Sequence, residues 1–411
     1  MPAHISGLLV APFAILLACI AILPLAASHF WESDRNKALV AGALSVPVVI
    51  WLLMNEPAGL AHTAHEYVSF VILLGSLYTI SGGIHFAGDL RATPSTNTAM
   101  LALGAVLANV VGTTGASMLL IRSMLRTNKE RRNTAHLPFF FILIVSNCGG
   151  LLTPLGDPPL FLGFLRGVPF FWTLKLFPVW LGSIAYLLAV FYITDRRAYA
   201  AETARDLAED VRQAEPLRVV GAVSLIPLAG TLGAVFLPSP WREIVMVAMG
   251  ALSVWWGSAE ARELNLFGWG PIREVAILFA GIFVTMVPAL ELLHTHGAEL
   301  GLSEPWQFFW ATGSLSSMLD NAPTYLAFFS AAQGLGLEPE VVGMPVRYLE
   351  AISCGAVLMG ANSYIGNGPN FMVKAIAEES GYPMASFFGY AVKAVVVLMP
   401  VYLALTFFFT R

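Results

Sequence analysis

The sequence predicts an all-α polytopic membrane protein, and three observations carry that prediction. Of 411 residues, 57% are hydrophobic and only 12% are charged, whereas an ordinary soluble domain carries about 25% charged residues. Mean hydropathy is +0.72. Apolar stretches recur from one end of the chain to the other, most of them about 20 residues long and so able to cross a roughly 30 Å hydrocarbon core.

Spans are expected near 5–27, 37–54, 65–86, 134–165, 170–194, 217–237, 242–258, 272–293, 347–379 and 385–409. The first lacks a basic flank and exceeds a signal-peptide core, so it reads as a retained span. Two further apolar segments, 96–126 and 304–334, are interrupted halfway by "NVVGTTG" (109–115) and "LDNAPT" (319–324). Each limb is too short to cross but long enough to reach the midplane and return, so both are expected to be re-entrant hairpins. The spans at 134–165 and 347–379 are long and broken by "SNCGGLLTPLGDPP" (146–159) and "GANSYIGNGPN" (360–370). Gly and Pro at that density free backbone polar groups, and these are tolerable at membrane depth only beside a polar cavity.

The order of elements then occurs twice. Three spans, a hairpin, a broken span and a last span occupy 1–194 and again 217–411, joined by a linker at 195–216. The breaks resemble each other too: "LGDPPLF" (155–161) set on "IGNGPNF" (365–371) aligns Gly156 with Gly366, Pro159 with Pro369 and Phe161 with Phe371. Five crossings per half make the second repeat inverted relative to the first, the layout of secondary transporters. On this topology sixteen Lys and Arg residues, among them Arg35, Lys37, Arg122, Arg126, Arg131 and Arg132, fall on one side. Five fall on the other (Arg166, Lys175, Arg242, Arg347, Arg411), and Lys393 lies within the last span. The basic side is read as cytoplasmic, which puts both termini on the non-cytoplasmic side of a bacterial-type inner (plasma) membrane. The linker, with mixed charges, reads as a solvated helix without a function of its own.

Polar clusters at four expected mid-membrane positions supply the candidate site. They contribute Asn109, Thr113 and Thr114 from the first hairpin, and Ser146, Asn147 and Asp157 from the first break. The second hairpin adds Asp320, Asn321 and Thr324, and the second break Asn362, Ser363 and Asn367. A carboxylate at the bilayer centre costs on the order of 2.5–3.5 kcal/mol on insertion scales, so Asp157 and Asp320 are functional candidates, for proton coupling above all. Either can instead brace a half-helix N-terminus. The Asn, Ser and Thr groups can cap half-helices or offer oxygens to a hard cation such as Na⁺. For Na⁺ the expected oxygens come from Asn109, Asn147, Asp157, Asp320, Asn321 and Asn362. An ion pair between Lys393 and a site carboxylate is a further possibility.

Cys19, Cys148 and Cys354 all lie in apolar segments and indicate neither a disulfide framework nor a metal site. No Walker motif, nucleophile elbow or metalloprotease helix occurs in the sequence. The protein is therefore expected to be neither ATP-driven nor an enzyme, and to need no cofactor beyond a transported Na⁺. A net charge of −4 points to no nucleic-acid partner; the expected partners are membrane lipid, small inorganic cations and protons.

The segments "ANVVGTTGASMLLIR" (108–122), "SNCGGLLTPLGDPPLFLGFLRG" (146–167), "LDNAPTYLAF" (319–328) and "GANSYIGNGPNFMVKA" (360–375) resemble the ion transporter superfamily. The nearest likeness is to citrate-transporter-like proteins of the NhaD-type sodium/proton antiporter kind. That resemblance implies sodium and substrate sites at hairpin tips and helix breaks, a homodimer, and an elevator-like movement. The dicarboxylate branch typically carries Ser-Asn-Thr at both hairpin tips, whereas here the tips read Asn109 to Thr114 and Asp320 to Thr324. An Asp at the second tip resembles the antiporter and arsenite-permease branches.

The leading expectation is exchange of Na⁺ (or Li⁺) for H⁺, because Na⁺ competes with protons for the oxygens of two carboxylates, Asp157 and Asp320, placed in one low-dielectric pocket. The alternative is Na⁺-coupled uptake of citrate or another di- or tricarboxylate or oxyanion, gripped by half-helix N-termini. A passive channel is a third class, disfavoured by the tight Gly/Pro breaks. On this reading Asp320→Asn inserts normally and abolishes Na⁺-dependent proton movement.

Overall fold

The structure is a computed structural model that describes residues 7–410. Residues 5 and 6 of the first expected span, and Arg411, lie outside the described residues. Six helical stretches among the described residues are long and apolar enough to cross a membrane, and the fold is that of an all-α polytopic membrane protein.

The first three expected spans fall on α1 (Ala11–Ala26), followed by the short α2 (Ser28–Trp31), then α3 (Asp34–Asn55) and α4 (Pro57–Gly82). The first hairpin is α5 (Pro94–Thr127), whose two limbs meet at Gly112 with φ 78°. That positive φ is open to Gly and strained for any residue with a Cβ. The first broken span is α6 (His136–Ile144), a 3₁₀ turn at Cys148–Leu152 and α7 (Pro158–Leu165). The half closes with α8 (Phe177–Ala200), and α9 (Ala204–Gln213) lies in the linker.

The second half runs α10 (Leu225–Ala234), α11 (Trp241–Trp256), the short α12 (Ala259–Leu264) and α13 (Gly270–His296). Its hairpin limbs are α14 (Pro305–Ser316) and α15 (Asn321–Gln333). Its broken span is α16 (Val346–Met359), a 3₁₀ turn at Gly360–Asn362 and α17 (Gly368–Glu379), and α18 (Phe387–Phe409) ends the described chain.

Three details depart from the sequence reading. The third span ends at Gly82 rather than 86 and the sixth begins at Leu225 rather than 217, because His85–Asp89 (β1) and Glu215–Val220 (β2) form an antiparallel two-stranded sheet. β2 reads "EPLRVV", with Val219 and Val220 paired to Phe86 and His85, and β-branched residues suit a strand better than a helix. The first span ends at Ala26, where the chain turns into α2. The linker is docked rather than merely solvated: Asp210 of α9 is buried and accepts the Ala92 N–H at 3.0 Å.

Packing divides the helices into two groups. In the first, α3 lies against α13 while α4 lies against α11, and α1 touches α13 while α10 touches α4. Each contact has its counterpart with the halves exchanged. In the second group α17 packs on the first hairpin and α7 on α15 of the second hairpin, again a reciprocal pair. The groups meet where α4 and α13 pass the hairpins.

The base of the first hairpin is held by polar groups. Asn97 and Asn128 exchange amide hydrogen bonds at 2.9 Å, and Asn97 also donates to Asp195 of α8 at 2.9 Å. Arg131 donates to Asp195 at 2.6 Å, and all four side chains are buried. The second hairpin is closed by its rings: Phe308 on α14 meets Phe328 on α15 edge to face, centroids 6.3 Å apart, a favoured aromatic geometry.

Candidate functional site

The two breaks and two hairpin tips converge on one carboxylate, that of Asp157. Its Oδ1 accepts from Thr113 Oγ1 at 3.0 Å and from Asn367 Nδ2 at 2.7 Å, and its Oδ2 accepts from Asn321 Nδ2 at 2.5 Å. Asp157 is 1% exposed. All three donors are neutral, and no Lys or Arg bonds to this carboxylate among the described residues. A buried charge that is hydrogen-bonded but unpaired is costly to hold, and such groups are functional candidates.

Local sequence explains how each donor arrives. Pro158 and Pro159 open α7, where a missing N–H costs nothing, so Asp157 becomes its N-cap. Asn367 precedes α17 in the same way, ahead of Gly368 and Pro369. Asp320 caps α15, with Oδ1 accepting the Ala322 N–H at 3.0 Å, and this places Asn321 as the first helical residue. Thr113 follows Gly112 and is fixed by its own N–H, which donates to the Gly156 carbonyl at 2.8 Å. Three helix N-termini therefore face the same region, each carrying partial positive charge.

Beyond Asp157 the network crosses between the halves. Asn367 also donates to the Ser146 carbonyl at 3.1 Å, while the Ser146 hydroxyl bonds that of Ser117 at 2.8 Å. Asn147 donates to Asn370 Oδ1 at 2.6 Å, and Asn370 donates in turn to the carbonyls of Gly360 and Ser363. Two amide oxygens in this cluster, Asn147 Oδ1 and Asn321 Oδ1, are buried without a hydrogen-bond partner. Oxygens of this kind suit a hard cation such as Na⁺.

The remaining candidates hold the frame. Asn109 binds the first tip to the first break, its Oδ1 accepting Leu152 N–H at 2.8 Å and its carbonyl accepting Thr153 Oγ1 at 2.6 Å. Asn362 donates to Ser317 at 2.9 Å and accepts from Tyr402 at 2.8 Å, which joins the second break to α14's end and to α18. Ser363 Oγ accepts the Gly366 N–H at 3.1 Å, and Thr324 donates to the Asp320 carbonyl at 2.9 Å. Thr114 is half-buried beside the tip and makes none of these bonds. Asp320 is also half-buried, within electrostatic reach of Asp157. Lys393 sits on an exposed face of α18 and pairs with neither carboxylate.

Four contributors were not singled out from sequence: Asn370, Ser117, Ser317 and Tyr402. Asn370 was within reach of such reasoning, since it lies one residue past Pro369 in "GNGPN" and one helical turn from Asn367. The others sit on regular helix or a hairpin limb, and nothing local distinguishes them.

A family model described as putative citrate transport matches residues 2–410. The chain belongs to that family. It is a multi-pass membrane transporter, and the family match spans both hairpins and both breaks. No curated protein matches the chain significantly.

Proposed function

We propose that the protein is a secondary active transporter that exchanges Na⁺ or Li⁺ for H⁺ at Asp157. The observation that carries this reading is the Asp157 carboxylate itself, buried, bonded by three neutral donors and unaccompanied by a cationic side chain. Such a group takes up either a proton or a small cation, and each excludes the other. The unpartnered oxygens of Asn147 and Asn321 supply further ligands of the right hardness. Inverted repeats with exchanged packing partners would let one site open alternately to the two sides, and the two packing groups supply a frame and a moving body. Alternate exposure then turns competition at one carboxylate into antiport.

A second reading, Na⁺-coupled uptake of citrate or a related carboxylate, draws on the family's description and on the N-termini of α7, α15 and α17 facing one region. Against it stand two acidic caps at those same N-termini and, among the described residues, no Arg or Lys bonded to the Asp157 cluster to grip a multiply charged anion.

Everted vesicles carrying a ΔpH-quenched dye distinguish the two. Na⁺ and Li⁺ are expected to restore fluorescence, with K⁺ and citrate inert. Uptake of labelled citrate stimulated by Na⁺, without proton efflux, would replace antiport by symport.

A further inference from the structure

Away from the Asp157 site, a groove of about 420 Å³ runs between α8 and α18. Its walls are apolar, from Pro178, Val179 and Gly182 on one side to Val401 and Ala404 on the other. Tyr186 also lines it and donates its hydroxyl to the Val397 carbonyl across the two helices at 2.9 Å. From Pro178 to Tyr186 the groove follows α8 for about 12 Å at 1.5 Å per residue. That is close to one leaflet, half of a roughly 30 Å core.

The mouth carries two charges of opposite sign, Lys175 and Glu350. Neither forms an ion pair among the described residues, although they lie within electrostatic reach of each other. Glu350 is half-buried in α16, and Lys175 is exposed in the turn before α8. The neighbouring Arg347 also lies within electrostatic reach of Glu350 without pairing with it, and it donates to the Phe408 carbonyl at 3.3 Å and stacks on the Phe408 ring at 4.5 Å. An unpaired carboxylate at the rim of an apolar groove calls for a cationic partner.

We propose that this groove is a phospholipid site that takes one acyl chain between α8 and α18 and selects a zwitterionic headgroup bearing a primary amine. Lys175 meets the phosphate as a point charge, and Glu350 accepts from the ammonium. The headgroup then completes both charges at the level where α8 enters the membrane. A purely anionic headgroup satisfies Lys175 but faces Glu350. A quaternary amine balances the charge but has no N–H to donate.

The site is independent of which ion the protein carries. A Cβ added at Gly182 meets nothing within 4 Å, so Gly182→Leu starts without a clash and extends a side chain from the groove wall. Native mass spectrometry of the full chain, released from detergent after exposure to equal amounts of phosphatidylethanolamine, phosphatidylcholine and phosphatidylglycerol, reads the outcome. The wild type is expected to retain phosphatidylethanolamine preferentially. Gly182→Leu loses that adduct while melting like the wild type, and Lys175→Ala and Glu350→Gln lose the headgroup preference. Should Gly182→Leu melt early, Ala404→Leu tests the opposite wall. Unchanged adducts in both groove-filling variants, equal retention of all three lipids, or detergent adducts alone would each overturn the proposal.

Discussion

Asn97 and Asn128 each donate to the other's amide oxygen at 2.9 Å, although they are 31 residues apart, Asn97 near the start of α5 and Asn128 capping its end. A straight helix would separate them by about 46 Å. The reciprocal pair is therefore the closure of a hairpin, and Gly112 is its tip. Asp195 and Arg131 extend the closure to α8 and to the loop before α6, so the polar base of this hairpin is a single buried network.

Removing one partner leaves buried polar atoms without bonds, at a cost of about 1–3 kcal/mol each. Asn97→Ala and Asn128→Ala are each expected to lower the thermal midpoint in detergent. The double variant should fall by less than the sum, because the two residues share their bonds. Fully additive losses would mean that the pair does not act as a unit.

Asp157 and Asp320 occupy the same kind of position, each an N-cap at the membrane-embedded end of a short helix, but they do different things. Asp157 gathers donors from three other segments, whereas Asp320 accepts the backbone N–H of Ala322 two residues ahead. Asp157→Asn is expected to insert normally and to abolish Na⁺-dependent dequenching. Asp320→Asn keeps a good N-cap and removes only charge, so it should slow exchange without stopping it. Wild-type exchange by Asp157→Asn would remove Asp157 from the mechanism. Complete loss in Asp320→Asn would give both carboxylates an indispensable role.

The two breaks share a close approach of backbone to backbone. A Cβ at Gly156 would run into the Gly150 carbonyl, and one at Gly366 would run into the Gly360 carbonyl; the spacing is the same in both. Overpacking of this kind costs typically about 1–3 kcal/mol where side chains can yield, and here the obstacle is main chain. Gly156→Ala and Gly366→Ala are each expected to lose folded yield and, in whatever folds, exchange activity. Normal yield and exchange in either variant would show that its break can open without harm.

That shared spacing also marks how far the sequence could be read. Gly156 and Gly366 were alignable because a tight break needs Gly in both halves, and the hairpins were legible because a polar tip interrupts two apolar limbs. Asn109, Asn147 and Asn362 stood out as amides in apolar surroundings, but which of them would face Asp157 depends on side-chain direction and long-range packing. The sheet of His85–Asp89 and Glu215–Val220 was hidden for a related reason. Its strands are far apart in the chain, Asp89 pairing with Glu215 and His85 with Val220, and each abuts an apolar span whose hydropathy masks it. The docked linker was missed because alternating charges on α9 look the same whether they face water or a neighbouring backbone.

Asp210 gives that linker a pH signature. The residue lies outside the membrane-spanning helices, in α9, and holds the chain entering the first hairpin through the Ala92 N–H. Burial pushes its carboxyl above the ordinary carboxylate range, with nearby Asp89 adding to the shift and the Ala92 bond opposing it. The folded state therefore binds the proton more tightly than the unfolded chain. Its contribution is largest at low pH and declines as pH rises from the ordinary carboxylate value, about 3.9, through the raised folded one. Asn keeps an oxygen for Ala92 and cannot ionise. Asp210→Asn is accordingly expected to resist cleavage of the linker better than the wild type at neutral pH, with the gap closing as the solution is acidified. Limited proteolysis at a series of pH values, with an acid-tolerant protease at the low end, reads this directly, and a gap that is constant or widens toward acid would mean that Asp210 is not held by burial in the way the fold implies.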